Sequence, residues 1–593
     1  MLRHFNFFKS YLGYRVYLLL VLSFLVSLLD SIGLGVLIQT LTLLGNSPPV
    51  GDDTFSNFVN EYLQGSVVAE NSALILLIMV AIFLFKGLFQ FAQVYYTVHL
   101  KFLFTSGIRH HLVDRLAGVK YQYFASLDAG KLQNQLTMES QRCIAGFMAF
   151  FRMVKQYIML SVYIGLALLL NPFFVLFCGI GVSFTNLLYR YFNRQTAKQS
   201  AGYTEMGHRY QSIVLQLIKN FNYLKATNGI EPLQADLDKK IDRIEEKQMR
   251  IGWYSSLTAS LREPFVIIII ALALLFFVIY LGNSISAITV VILLMYRAMN
   301  FLQAAEASKQ SYYGITGSID SVIELDEELS AEPEPEPGER SLETIESIRF
   351  EKVTFTYQEE EWFEYEFDVK RGETLAIVGE SGSGKTTLLS LLLGLYSPAE
   401  GKIMLNGHPI TEYNLATFRS KIGFIDQNTV VFNDTVYNNV SSWSDKNPAN
   451  LARFWSVMEA VNLATIFRER STGEETLLGD NGMKVSGGQR QRISIARELF
   501  KSFDLLIMDE ATASLDAISA NQVRRSLKEA NPDCIRILIS HKLNSVENAD
   551  RILLLDKGKM VARGTFAEVK MQSALFREML SQQSVVQSEE HKF

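Results

Sequence analysis

Residues 374–396 read TLAIVGESGSGKTTLLSLLLGLY, and the order of chemistry within them decides the fold of the second half of the chain. Residues 374–378 form a short apolar run with the composition of a strand buried on both faces. It leads without a spacer into Gly379, Glu380, Ser381, Gly382, Ser383, Gly384, Lys385, Thr386 and Thr387, and then into leucines at helical spacing. Strand, loop and helix together satisfy G-x-x-x-x-G-K-[ST] in the context that motif requires. The glycines let the backbone wrap a phosphate, and the N–H groups and helix start supply partial positive charge. Lys385 neutralises the β- and γ-oxygens, while Thr386 offers a hydroxyl to Mg²⁺.

Working outward, a second apolar strand at 504–508 (DLLIM) ends in Asp509 and Glu510. Two carboxylates delivered at a strand's end are what a metal-assisted hydrolase needs. Asp509 would hold Mg²⁺ through water and Glu510 would polarise the attacking water. Between the two motifs lies Val485 followed by Ser486, Gly487, Gly488 and Gln489, a turn that opens a helix and forms a second anion site. One chain's γ-phosphate is already surrounded by its own loop, so the economical reading is that this second site closes on nucleotide held by a partner chain.

The first half of the chain is of another kind. The whole sequence has 593 residues, 49% of them hydrophobic and 20% charged, with a formal charge of −5. Mean hydropathy is +0.14, the average of two unlike halves. This excludes a disordered or fibrous chain, and three scattered cysteines cannot build a disulfide framework or a zinc site. Apolar runs long enough for a bilayer core of about 30 Å occur at 16–44, 73–98, 144–170, 173–188, 257–281 and 285–305. The connections at 45–72, 171–172 and 282–284 carry no Lys or Arg, whereas 101–142 holds six and 190–250 holds eleven. The positive-inside rule therefore puts both termini and the two long connections in the cytoplasm. These connections read as membrane helices continuing into the cytosol and turning at short crosspieces.

Residues 326–346 carry nine acidic residues and one basic residue, with Pro alternating with Glu at 332–337. Within this acidic linker, residues 331–340 are expected to be extended and solvated, because Pro fixes φ and like charges repel. The expected organisation is a membrane domain over 1–325, the linker at 326–346, a nucleotide-binding domain over 347–580 and a flexible tail at 581–593. With the linker set aside, the rest of the chain sums to about +3, which argues against a nucleic-acid partner.

Taken together, these residues resemble an ATP-binding cassette protein, and the chain as a whole is similar to a half-transporter of the exporter type. The resemblance implies an all-α six-helix transmembrane domain with long cytoplasmic extensions, followed by an α/β P-loop nucleotide-binding domain. It implies ATP and Mg²⁺ as cofactors and a bacterial inner-membrane location with the nucleotide domain in the cytoplasm. It makes Tyr357 the aromatic that stacks on adenine, with Trp362 and Phe363 as alternatives because the turn after Tyr357 is short and acidic. It makes Gln427 the loop glutamine that senses Mg²⁺ and contacts the membrane domain, and His541 the switch histidine. Residues 479–482 resemble the exporter-specific loop before the signature, and residues 513–516 the loop crossing the dimer. Val485 and Asp426 depart from the usual pattern.

Because one chain carries one phosphate loop and six spans, a working unit needs two chains. The intact Glu510, Ser486 and His541 favour a homodimer, with a heteromeric partner as the alternative. Among ionisable residues in the spans, Lys86, Lys155, Arg262 and Arg297 suggest a basic vestibule for an anionic headgroup. The competing reading is that they pair with Asp30, Glu263 or Glu306, or snorkel. The function expected is ATP-driven outward movement of an amphiphile, such as a lipid-linked oligosaccharide, in a flippase similar to those of bacteria. The alternatives are a peptide or multidrug exporter and, from another class, an ATP-gated channel or sensor module.

Overall fold

A computed structural model of the chain describes residues 1–44, 72–279, 285–357, 362–510, 517–541, 543 and 546–590. They fall into two compact units, Met1–Glu334 and Pro335–Phe593.

The described part of the first unit is helical. Its helices are α1 (Leu2–Leu12), α2 (Arg15–Leu44), α3 (Ser72–Ala117), α4 (Tyr121–Ser126), α5 (Ala129–Asn134), α6 (Ser140–Leu170), α7 (Pro172–Lys219), α8 (Phe221–Ala226), α9 (Ile230–Ile279), α10 (Ile285–Tyr313) and α11 (Thr316–Ala331). A π-helical turn, Gln135–Glu139, joins α5 to α6. Helices α3, α7 and α9 have 46, 48 and 50 residues. At a rise of about 1.5 Å per residue they are roughly 70 Å long, more than twice a bilayer core of about 30 Å. The six-residue α4 and α8 have no buried residue and are the crosspieces that the loop composition predicts.

Among the described residues, Arg15–Gly33, Met79–Ala117, Ala129–Leu170 and Ile230–Phe277 are long and apolar enough to cross a membrane, and Pro172–Gly181 is a shorter apolar helix. The connections at 45–71 and 280–284 lie outside the described residues. The hinge between α6 and α7 follows from local chemistry. Asn171 Oδ1 accepts from Phe174 N at 3.0 Å, and Pro172, which lacks an N–H, occupies the first helical position.

Helix α1 is tied to this unit by Phe8, which is fully buried among Phe104, Phe147, Phe150 and Phe151. The Glu–Pro stretch after α11 is non-helical and mostly exposed, with backbone contacts near its two ends. Residues 326–331 complete α11, and then Pro333 bridges Val119 while Glu334 N donates to Gly118 O at 2.7 Å. Lys120 meets Glu332 at 3.1 Å, so the local negative charge is partly matched. On the far side of the unit boundary, Gly338 N donates to Tyr413 O, and Leu342 and Ile345 are buried in the core of the second unit.

The second unit is built on one ten-stranded sheet of order β5-β4-β1-β2-β10-β9-β3-β8-β7-β6. Its strands are β1 (Ser347–Thr356), β2 (Trp362–Lys370), β3 (Thr374–Gly379), β4 (Glu400–Leu405), β5 (His408–Pro409), β6 (Ile422–Ile425), β7 (Leu505–Asp509), β8 (Ile535–Ile539), β9 (Arg551–Asp556) and β10 (Lys559–Gly564). Strands β3, β8, β7 and β6 run parallel and adjacent. Their apolar residues, among them Leu375, Ile377, Leu505, Ile507, Ile535 and Ile537, are buried, as a sheet covered on both faces requires. The last helix, Ala574–Glu590, takes up most of the segment expected to be a flexible tail. Phe576 and Met579 anchor it in a core cluster with Val378 and Leu543.

Candidate functional site

Four parallel neighbours end on one edge of the sheet, and each delivers part of the site there. Beyond β3 comes the loop from Gly379 to Gly384 and then the helix Lys385–Leu392. Beyond β8 comes His541, beyond β7 Glu510, and beyond β6 Asp426 and Gln427. Sites at the carboxyl ends of parallel strands follow from this topology, because helix starts and strand ends converge there.

The phosphate loop is sterically committed. Gly384 has φ 101°, and a Cβ there would lie 2.7 Å from Tyr365 Oη and 2.8 Å from Phe363 Cδ1. A Cβ on Gly379 would lie 2.4 Å from the carbonyl of Leu555. Only glycine lets the backbone approach so closely at these two positions. Lys385 Nζ donates to the carbonyls of Gly379 and Glu380 at 2.8 and 2.7 Å, which curls the side chain over its own loop. Thr387 is buried on the first turn of the helix, whereas Thr386 is exposed.

The carboxylates form the polar centre. Glu510 sits in the left-handed region with φ 49°, a conformation costly for a non-glycine residue and concentrated at functional sites. Its amide donates to Ile539 O at 3.1 Å. Gln427 Nε2 donates to Glu510 Oε2 at 2.8 Å, and His541 Nδ1 contacts Glu510 Oε1. One carboxylate thus gathers the loop glutamine and the histidine that the sequence reading had assigned from separate motifs. Burial pushes the Asp509 carboxyl up to about 6, with Asp426 and Glu510 adding to the shift and Lys385 opposing it. Burial likewise lowers Lys385, against the pull of Glu510 and Asp509.

This donor set suits a hard divalent cation, which binds oxygen ligands. Thr386, Asp509 and Gln427 would hold Mg²⁺, and such an ion would relieve the negative charge of Asp426 and Glu510 that adds to the effect of burial on Asp509. When bound, the ion would neutralise phosphate oxygens. Asp426, which sequence reading noted only as a departure, contributes to this crowding; its place directly before Gln427 was the available signal.

Tyr357 is half-exposed, and its hydroxyl lies 3.3 Å from Thr387 Oγ1. Phe355, Phe363 and Tyr396 meet its ring edge-on, which leaves it beside the phosphate-loop helix. Of the two alternatives, Phe363 is buried beneath Gly384 and has no free face, whereas Trp362 is half-exposed opposite Thr356.

Ser486 caps the helix Gly487–Phe500. Its hydroxyl accepts from Gln489 N at 3.3 Å, while Gln489 Oε1 accepts from Ser486 N at 3.0 Å. Gly487 and Gly488 add no side chain of their own to the first turn, and Ser486 and Gly487 are exposed. Residues 513–516 lie outside the described residues.

The intramembrane cations are separated by their surroundings. Lys86 is paired with Asp30, which also accepts from Tyr163 Oη at 2.7 Å. For Lys86 this matches the competing reading, a cation paired with Asp30 at a junction of α2, α3 and α6. Glu306, 5% exposed, is likewise engaged by Lys309 and Tyr157, each at 3.0 Å. Lys155 is half-buried on α6 and Arg297 is exposed on α10. The side chain of Arg262 lies outside the described ones.

Comparison with known proteins agrees with both units. Residues 16–304 match the family of the ABC transporter transmembrane region, and residues 363–513 that of the ABC transporter. The ATP-dependent lipid A-core flippase of Alkalilimnicola ehrlichii is 41% identical over 254 residues, 42% of each chain. That of Paraburkholderia xenovorans is 27% identical over 513 residues, 84% of each chain. That of Salmonella typhimurium is 32% identical over 358 residues, 58% of this chain and 60% of that one. The aligned stretch therefore spans less than half the length of the first of these relatives. The solved structure of a bacterial Atm1-family ABC exporter with ATP bound shares the fold with a TM-score of 0.78 at 20% identity, covering 97% of this chain and 99% of that one.

Proposed function

From the premise that this chain belongs to the ABC transporters, as an exporter-type half-transporter embedded in the membrane, we propose that two copies pair to hydrolyse ATP and flip an anionic, lipid-anchored amphiphile outward. The observation that carries the hydrolytic part is Glu510, held between Gln427 and His541 on the same sheet edge as the phosphate loop. There Glu510 accepts a proton from the attacking water, Lys385 and the loop amides bind phosphate oxygens, and His541 and Gln427 orient the carboxylate.

The pairing follows from what a single chain lacks. The exposed helix start at Ser486–Gly488 offers an anion site to nucleotide on a second copy, so ATP favours the closed pair by its differential affinity for that state. The substrate class is supported by the names of the relatives and by Lys155 and Arg297, which lie in apolar helices and form no ion pair among the described residues. A lipid A-core or a related lipid-linked saccharide fits both.

The test is reconstitution in liposomes with a panel of lipid-linked saccharides, phospholipids, peptides and dyes. Anionic lipid-linked saccharides are expected to stimulate hydrolysis and to be translocated, and Lys155→Ala/Arg297→Ala is expected to reduce both. Hydrolysis indifferent to the whole panel would favour a gating or sensor module instead. Glu510→Gln is expected to bind ATP without turning it over; undiminished hydrolysis would remove Glu510 from its role.

A further inference from the structure

The imidazole of His541 has little packing to aim it, because 54% of its side chain is exposed. Its direction toward Glu510 therefore depends on how the backbone at His541 and Leu543 is held. One side chain outside the residues already assigned reaches that backbone. Gln583, on the helix Ala574–Glu590, donates from Nε2 to the carbonyl of His541 and accepts at Oε1 from Leu543 N at 2.9 Å. A single planar amide thus binds the backbone at both His541 and Leu543. The grip is well founded. Phe576, Met579 and Gln583 lie at spacings of three and four on one helix face, and the first two are buried against Val378, Leu543 and Val546. Val378 belongs to the strand that enters the phosphate loop, so the helix is seated on the element whose product the histidine must address.

We propose that Gln583 is a positioning residue for ATP hydrolysis, acting through His541 by fixing the backbone that carries the imidazole. This rests on the role given to His541 above. A glutamine is suited to the task because its side-chain amide both donates and accepts in one plane. Gln583→Met keeps the length and helix preference and removes both hydrogen bonds. Gln583→Glu keeps the acceptor for Leu543 N and replaces the donor facing the His541 carbonyl with a charge that repels it.

The experiment measures kcat and KM for ATP, together with thermal midpoints, for the full-length protein in lipid nanodiscs. The variants are Gln583→Met, Gln583→Glu, His541→Ala and His541→Ala/Gln583→Met. Two lost hydrogen bonds acting in the transition state correspond to a kcat about tenfold lower for Gln583→Met. Its KM and thermal midpoint are expected to stay close to wild type. Gln583→Glu is expected to lose kcat as well, and the double variant to be no slower than His541→Ala. The proposal is overturned if Gln583→Met keeps wild-type kcat, if the double variant loses further activity, or if Gln583→Met loses activity only with its fold while Gln583→Glu hydrolyses normally. The His541→Ala arm separates the two readings. A slow His541→Ala beside a fast Gln583→Met discards the clamp alone, whereas a fast His541→Ala discards the role of the histidine from which the clamp was argued.

Discussion

Asp509 is the residue at which the physical cost of the site is most direct. Its carboxyl is buried beside Asp426 and Glu510 and titrates near 6, above its ordinary range. The folded protein therefore binds a proton more tightly than the unfolded chain does. Its contribution to stability is unharmed below about pH 4, erodes between about pH 4 and 6, and is fully lost above about 6. Asp509→Asn is accordingly expected to raise the thermal midpoint of the nucleotide-free protein at pH 7.5, with the difference closing as the pH falls toward 4, measured by differential scanning fluorimetry. The same substitution is expected to lower Mg²⁺-dependent hydrolysis by at least tenfold. A variant less stable than wild type at pH 7.5 would show that the carboxylate is compensated in a way its neighbours do not reveal. Asp509, Lys385 and Glu510 were all legible in the sequence, because motif spacing reports which groups share a strand end. The contact that joins Glu510 to both Gln427 and His541 was not, since those residues are 83 and 31 positions away and meet only through the order of the strands.

At the scale of elements, the first unit is held by polar ties as well as by apolar packing. Asp30 on α2 joins Lys86 on α3 and Tyr163 on α6, so one carboxylate links three helices. Removing one partner of a fully buried ion pair costs about 3–5 kcal/mol and replacing both by apolar groups is often neutral; Lys86 and Asp30 are 21% and 14% exposed, so the cost here falls below that range. Asp30→Asn is therefore expected to lower the thermal midpoint in detergent, and Asp30→Leu/Lys86→Leu to recover most of the loss. Failure of the double variant to recover would return Lys86 to the list of substrate-facing cations. Sequence hydropathy located these helices but could not say which intramembrane cation was paired, because hydropathy records cost and not partner. The Glu–Pro segment read as solvated and is mostly exposed, but the backbone bonds that Gly118 and Tyr413 offer near its ends belong to the fold.

For the whole molecule, the prediction concerns two copies acting together. If each nucleotide is enclosed by the phosphate loop of one chain and the signature turn of the other, a chain with Lys385→Ala and a chain with Ser486→Arg are each inactive alone. A mixed dimer of the two places both defects in one composite site and leaves the other intact. Co-expression with two affinity tags and measurement of hydrolysis by the doubly purified complex is expected to restore activity well above either parent. Mixed dimers as inactive as both parents would show that the sites do not share residues across chains, or that one site cannot work alone. Lys385→Ala homodimers with wild-type hydrolysis would remove the phosphate loop itself from the reaction.

By itself the amino-acid order determined the two halves of this protein, its place in a membrane, and the motifs from which the phosphate-handling groups are proposed. All of these are written in local periodicity, charge and motif spacing, which the chain carries whether or not it is folded. Only the tertiary structure decided which polar groups are matched: Asp30 with Lys86, Glu306 with Lys309, Glu510 with Gln427 and His541, and Gln583 with the backbone at His541 and Leu543. Pairing is a property of distance in space, and distance between residues far apart in sequence is set by how strands order and helices pack.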